Sequence, residues 1–413
     1  MTATGSESAA PALAADDAGS GKRGAIEQAG EQRSTRLESL RALGWLAVLV
    51  AHVLTLALAY QGLGDTYKNR LMLGGGVLGL YLFFAMSGYL LYLPFARRQL
   101  CGERRIDVRR YARNRMLRIL PVYYLVIAVL LIVQPLDADR GDWWRWLTFT
   151  QNFSAETIHR LNAPLWSVVV EVQFYIALPL MAWAVAKLGG RSFPRTVAVL
   201  AGIALASWII RSREVVNAAE PNIIGPLGKY ALPSFLYAFM GGMLLAVLRL
   251  AWERRPPRWA QWPVVGASGA WIAAAVGLHL LIAYDFDYQE PWVALVAALI
   301  VGACVLPLRT GVIVNILERR PLAVVGVASF SLYLWHWPIL QALSGVHFGA
   351  APGEAVGIVG EQTDFKGLLA VGLPLCVAVG LASYWIIERP FLRRRRGWGT
   401  TEAAPTADAP VAS

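Results

Sequence analysis

The chain has 413 residues, 56% of them hydrophobic and only 16% charged, with a mean hydropathy of +0.48. A water-soluble domain has nowhere to bury that much apolar surface, and several runs approach the roughly 20 apolar residues that span a bilayer. The net charge of +11 is dispersed by connection, so no continuous nucleic-acid patch forms, and three scattered cysteines (Cys101, Cys304, Cys376) make neither a metal spacing nor a disulfide framework.

Residues 1–34 are rich in Ala, Gly, Ser, Glu and Asp and lack the apolar core of a signal peptide, which predicts an uncleaved, disordered tail. Ten apolar spans follow, at about 39–60, 76–96, 119–135, 165–187, 195–211, 231–251, 262–284, 291–308, 322–344 and 367–388. The first begins RLESLRALGWLAVLVAH. Arg41 and His52 are eleven residues apart there, close to three helical turns, so both fall on one stripe about 16 Å apart in depth. Arg41 then lies at the membrane surface and His52 near mid-bilayer, where an ionisable group marks a functional position by default.

In the second span, Ser87 of FFAMSGYLL lacks the G-x-S-x-G elbow of a hydrolase nucleophile and is expected to line a cavity. The stretch Arg97–Arg118 carries nine arginines, and Arg115 and Arg118 are an i, i+3 pair at the start of the third span. Paired guanidinium groups suit phosphate, which they grip bidentately. The following connection holds Trp143, Trp144, Arg145 and Trp146, read as an interfacial aromatic anchor.

Glu171 sits in LWSVVVEVQFY, where Ser167, Glu171 and Tyr175 recur every four residues as a polar stripe. A carboxylate at that depth is protonated or paired, and pairing with a histidine would orient the ring and raise its basicity. In SFSLYLWHWP, Ser329, Tyr333 and His336 share one face, Pro338 is expected to kink the helix, and Trp335 and Trp337 read as packing. His279 has no comparable stripe and reads as structural. After the last span, residues 393–413 form a basic and then disordered tail, whose first arginines face lipid headgroups.

Counted by alternate connections, 27 Lys and Arg fall on one side and nine on the other. That phase predicts an all-α, multi-pass bundle of ten transmembrane helices with both termini cytoplasmic, residues 35–392 forming one membrane domain in the inner or plasma membrane.

RLESLRALGWLAVLVAH, FFAMSGYLL, RRYARNRMLRILPVYY, LWSVVVEVQFYIALPL, SFSLYLWHWP and SYWIIERPF, in that order, resemble the acyltransferase-3 family of bacterial membrane O-acyltransferases. The Arg41-to-His52 spacing fits that family's Arg-x10-His motif, and Arg115 and Arg118 fit its Arg-x-x-Arg pair. The resemblance implies transfer of an acyl group, usually acetyl, from acyl-CoA to a hydroxyl of a glycan, glycolipid or macrolide. It implies no bound prosthetic group and no metal. Many members carry a fused periplasmic esterase-like domain after the membrane part. Here the sequence runs only about twenty residues past its last span, so the acceptor is expected to be handled by the membrane module or a partner, as in short members that act on macrolides.

The combined expectation makes His52 the general base, with Glu171 orienting it. Arg41, Arg115 and Arg118 bind the donor phosphates, and Ser87, Tyr333 and His336 line the cavity. An acyl-histidine intermediate is the second option. The rival class, a proton-coupled transporter or lipid flippase, would use the buried His and Glu as a relay and predicts inverted repeats, which the sequence lacks.

Overall fold

The computed structural model describes residues 35–58, 66–133, 142–154, 156–216, 229–262, 264, 266–284, 290–345 and 364–394. Both tails therefore lie outside the described residues, apart from Arg393 and Arg394. The protein is an all-α, multi-pass membrane bundle. Its helices are α1 (Thr35–Leu58), α2 (Tyr67–Ala96), α3 (Val108–Val133), α4 (Leu165–Gly189), α5 (Phe193–Val216), α6 (Leu232–Arg254), α7 (Ser268–Tyr284), α8 (Glu290–Val305), α9 (Arg320–Val327), α10 (Ser329–Ser344) and α11 (Phe365–Ser383). Helix α2 runs on through a π turn to Cys101, and α11 continues through a second π turn to Arg393.

Among the described residues, seven helices are long and apolar enough to cross a membrane, and the bent pair α9–α10 makes an eighth. Helices α7 and α8 are apolar but shorter. Nine of the ten expected spans each overlap one of these helices, and the span at 322–344 overlaps the bent pair α9–α10. Their ends follow local chemistry: Thr66 caps α2 by accepting from the backbone N–H of Asn69 at 3.2 Å, and Asp364 caps α11 from Gly367 at 2.7 Å. Pro94, Pro121, Pro179, Pro338 and Pro374 lie inside helices. That is tolerated in a bundle whose neighbours re-satisfy the freed carbonyls.

Pro338, the expected kink, lies inside α10, and a larger bend precedes it. The 68° break falls at Ala328, between α9 and α10, nearly three turns before that proline. Beside the break, a Cβ on Gly326 would lie 1.7 Å from the carbonyl oxygen of Glu38, so α9 seats against α1 too closely for a side chain. The aromatic anchor also divides. Trp143 and Trp144 are exposed, whereas Trp146 is buried and its carbonyl accepts from the Tyr123 hydroxyl at 2.7 Å.

Three apolar clusters hold the bundle. The largest joins α2, α6 and α8, a second joins α1, α10 and α11, and a third joins α3 to the start of α4. Close backbone approach pins α2 to α6, since a Cβ on Gly242 would sit 1.9 Å from the Ala85 carbonyl oxygen and one on Gly88 2.1 Å from that of Phe239. Small residues at such crossings are how helices pack where lipid offers no hydrophobic drive. The polar site lies where the three clusters meet.

Candidate functional site

Helix α4 shows how the sequence aims the site. Ile176, Leu180 and Trp183 are exposed along one face, which leaves the Ser167–Glu171–Tyr175 stripe turned inward. That stripe is one wall of a cavity of about 370 Å³. Glu38 and Arg41 come to it from α1, Phe83 and Ser87 from α2, Arg115 and Arg118 from α3, and Ser329 and Tyr333 from α10. The volume falls within the range of small-molecule sites. Six of the eight residues expected to carry function therefore share one space: Arg41, Ser87, Arg115, Arg118, Glu171 and Tyr333.

The charged groups of the cavity each have a partner. Arg41 donates to Glu38 at 2.9 Å. Arg118 donates to Oε1 of Glu388 on the continuation of α11, while Ser331 donates to Oε2 of the same carboxylate at 2.6 Å. The Arg115 guanidinium stands over the Tyr175 ring, 5.8 Å from its centre. Oε1 of Glu171 accepts from Ser87 at 2.6 Å and from Tyr175 at 2.5 Å.

That last arrangement corrects one expectation. Glu171 was to orient His52, but its carboxylate is taken up by Ser87 and Tyr175, because the α4 stripe faces α2 across the cavity. The partner of His52 is His336: Nδ1 of His52 lies 2.8 Å from Nε2 of His336. The rings lie edge to edge and nearly parallel, with centroids 5.0 Å apart and planes 14° apart. Trp337, buried in an apolar cluster as expected of a packing residue, meets the His52 ring edge-on, also at 5.0 Å.

Neither histidine is among the cavity walls, which corrects the expectation that His336 lines it. His336 has no exposed surface, whereas His52 keeps a partial exposure. Tyr333 stands between the cavity and the pair. Its ring lies 5.3 Å from that of His336, and its hydroxyl bonds Ser167 at 2.7 Å and donates to the Pro164 carbonyl at 3.1 Å. His279 lies elsewhere, its ring filling the space above Gly74.

Glu388 and Glu38 were missed from sequence. Glu388 sits at the edge of the last apolar run, and ending that span at residue 388 hid it, although a lone carboxylate flanked by WII and RPF obeys the same logic as Glu171. Among the described residues no group of three or more His, Cys, Asp or Glu side chains is gathered to hold a metal.

Comparison with known proteins bears on this site. Residues 35–388 match the family model described as an acyltransferase domain, Acyl_transf_3. Relatives include YrhL of Bacillus subtilis, whose name proposes a peptidoglycan O-acetyltransferase, at 25% identity over 88% of this chain and 58% of its own length. The O-acetyltransferase OatA of Staphylococcus aureus is 22% identical over 88% of this chain and 57% of its own. The peptidoglycan O-acetyltransferase OatA of Listeria monocytogenes is 22% identical over 75% and 50%. The chain thus spans a little over half the length of the first of these relatives. No solved structure gives a significant match.

Proposed function

From the premise that the chain belongs to this family of membrane acyltransferases, we propose that it transfers an acyl group, acetyl in the simplest case, from acyl-CoA to a hydroxyl of a cell-surface glycan. The acceptor class is supported by the names of the Bacillus and Listeria relatives, which mention peptidoglycan, and acetyl by the word O-acetyltransferase in all three names. A glycolipid or macrolide hydroxyl would undergo the same chemistry.

The observation that carries this reading is a cavity with three arginines, closed by a single tyrosine from a pair of hydrogen-bonded histidines. The donor phosphates meet Arg115, Arg118 and Arg41, since guanidinium groups match phosphate oxygens in geometry and charge. The long thiol arm, which carries two amides, follows the polar wall of Ser87, Glu171 and Tyr175. The thioester then reaches Tyr333, whose side chain yields to bring the acyl carbon to His52.

There the acceptor hydroxyl gives its proton to His52 as its oxygen bonds to the acyl carbon. The tetrahedral intermediate collapses, the C–S bond breaks, and the departing CoA sulfur takes the proton from the imidazolium. Acyl transfer first to His52 is the second route.

The test is transfer of label from acetyl-CoA by the purified, detergent-solubilised protein to a panel of glycan, glycolipid and macrolide acceptors, beside His52→Ala. Label on an acceptor from the wild type alone supports both class and base. A fully active His52→Ala protein would sink the base assignment.

A further inference from the structure

We propose that His336 is a positioning residue for His52, fixing the proton on Nδ1 of that ring and leaving Nε2 as the basic atom. The inference rests on the reading of His52 as general base.

The hydrogen bonds decide the tautomer. Nδ1 of His336 lies 2.5 Å from the carbonyl oxygen of Tyr333, one turn back on the same helix. A carbonyl oxygen has lone pairs and no proton, so Nδ1 is the donor. A neutral imidazole has one N–H, so Nε2 of His336 is an acceptor, and the atom it faces at 2.8 Å is Nδ1 of His52. That nitrogen must donate. The lone pair of His52 is then left on Nε2, on the far side of the ring from His336.

A second proton on His336 would reverse the assignment, but it would put a cation on a side chain without exposed surface, which faces backbone carbonyls and neutral rings. A buried charge needs a counter-charge, and none is bonded here.

Orientation is fixed along with protonation. The near-parallel rings hold the N–H in line, and Trp337 restrains His52 from a second direction. The α10 backbone that carries His336 is itself anchored, since Cys376 on α11 donates to the His336 carbonyl at 3.8 Å. A carboxylate in this role would bring a charge to the middle of a membrane, whereas a neutral imidazole supplies the acceptor without one. When His52 takes the acceptor's proton, its Nδ1–H becomes a charge-assisted donor to His336, and that bond is stronger in the transition state than in the resting enzyme.

Four proteins test this: wild type, His52→Ala, His336→Phe and His336→Gln, each assayed for kcat and donor KM and melted to confirm folding. Phenylalanine keeps an aromatic ring but has no acceptor. Glutamine keeps an acceptor for His52 and a donor for Tyr333. The expected result is a kcat loss of about 100-fold or more in His336→Phe, within the range for losing acid–base catalysis, with donor KM changed less than about twofold. His336→Gln should recover at least about tenfold of that loss. A purely structural histidine would give the opposite order, because Phe fills the ring's space better. The inference falls if His336→Phe keeps wild-type kcat, or if Gln is no better than Phe. With His52→Ala inert and His336→Phe active, only the positioning role is lost; an active His52→Ala overturns the general-base reading and this inference together.

Discussion

Arg118 on α3 and Glu388 on the continuation of α11 form an ion pair across 270 residues of sequence, and Ser331 of α10 donates to the other carboxylate oxygen. Three helices are tied at one carboxylate, which is fully buried while the guanidinium is 15% exposed. Removing one partner strands a charge, at a cost of about 3–5 kcal/mol. Arg118→Ala and Glu388→Ala should each lower the melting midpoint in detergent, and the double variant should lose less than the sum of the two. Single variants that melt with the wild type would show the pair to be idle.

Arg115 separates donor binding from that structural tie. Loss of one charge-assisted contact, about 1.5–3 kcal/mol, corresponds to a donor KM raised roughly 10- to 100-fold. Arg115→Ala should show that rise with kcat and melting midpoint nearly unchanged. An unaltered donor KM would remove Arg115 from the phosphate site.

Glu171 now has two readings that kinetics can part. As a wall of the donor channel, bonded to Ser87 and Tyr175, it should act on donor binding. Glu171→Gln should then raise donor KM about tenfold and leave kcat within about threefold. The reverse pattern, kcat lost and KM kept, would restore the pairing with His52 that the sequence invites.

The α2–α6 crossing offers a control on packing alone. Gly88→Ala and Gly242→Ala each drive a methyl group into a backbone carbonyl and should destabilise the protein by about 1–3 kcal/mol or more, read as a lower melting midpoint. Gly75→Ala, where nothing lies within 4 Å, should be neutral or slightly stabilising, because alanine favours helix. Equal midpoints for all three would mean that the crossing yields easily.

Much of this was legible from periodicity. Stripes four residues apart marked the inward face of α4, and the Arg115–Arg118 spacing marked the two arginines that reach the cavity from α3. What sequence cannot supply is azimuth between helices. Depth put His52, Glu171 and His336 at one level, but only packing decides that His52 faces α10 rather than α4. The bend at Ala328 escaped for a related reason. Proline advertises a kink locally, whereas this break lies beside Gly326, whose close approach to the backbone of a helix almost 290 residues earlier has no local signature. Glu388 escaped because a hydropathy boundary fell on it.

The tie between Arg118 and Glu388 also has a history in time. Arg118 is made 270 residues before its counter-ion, an interval of about 15–50 s at ordinary rates of synthesis. During that interval the acidic groups that face Arg118 are Glu38, made before it, and Glu171, made soon after. Glu388 comes from the continuation of α11, so the contact that ties α3 to α10 and α11 forms only once α11 is in place.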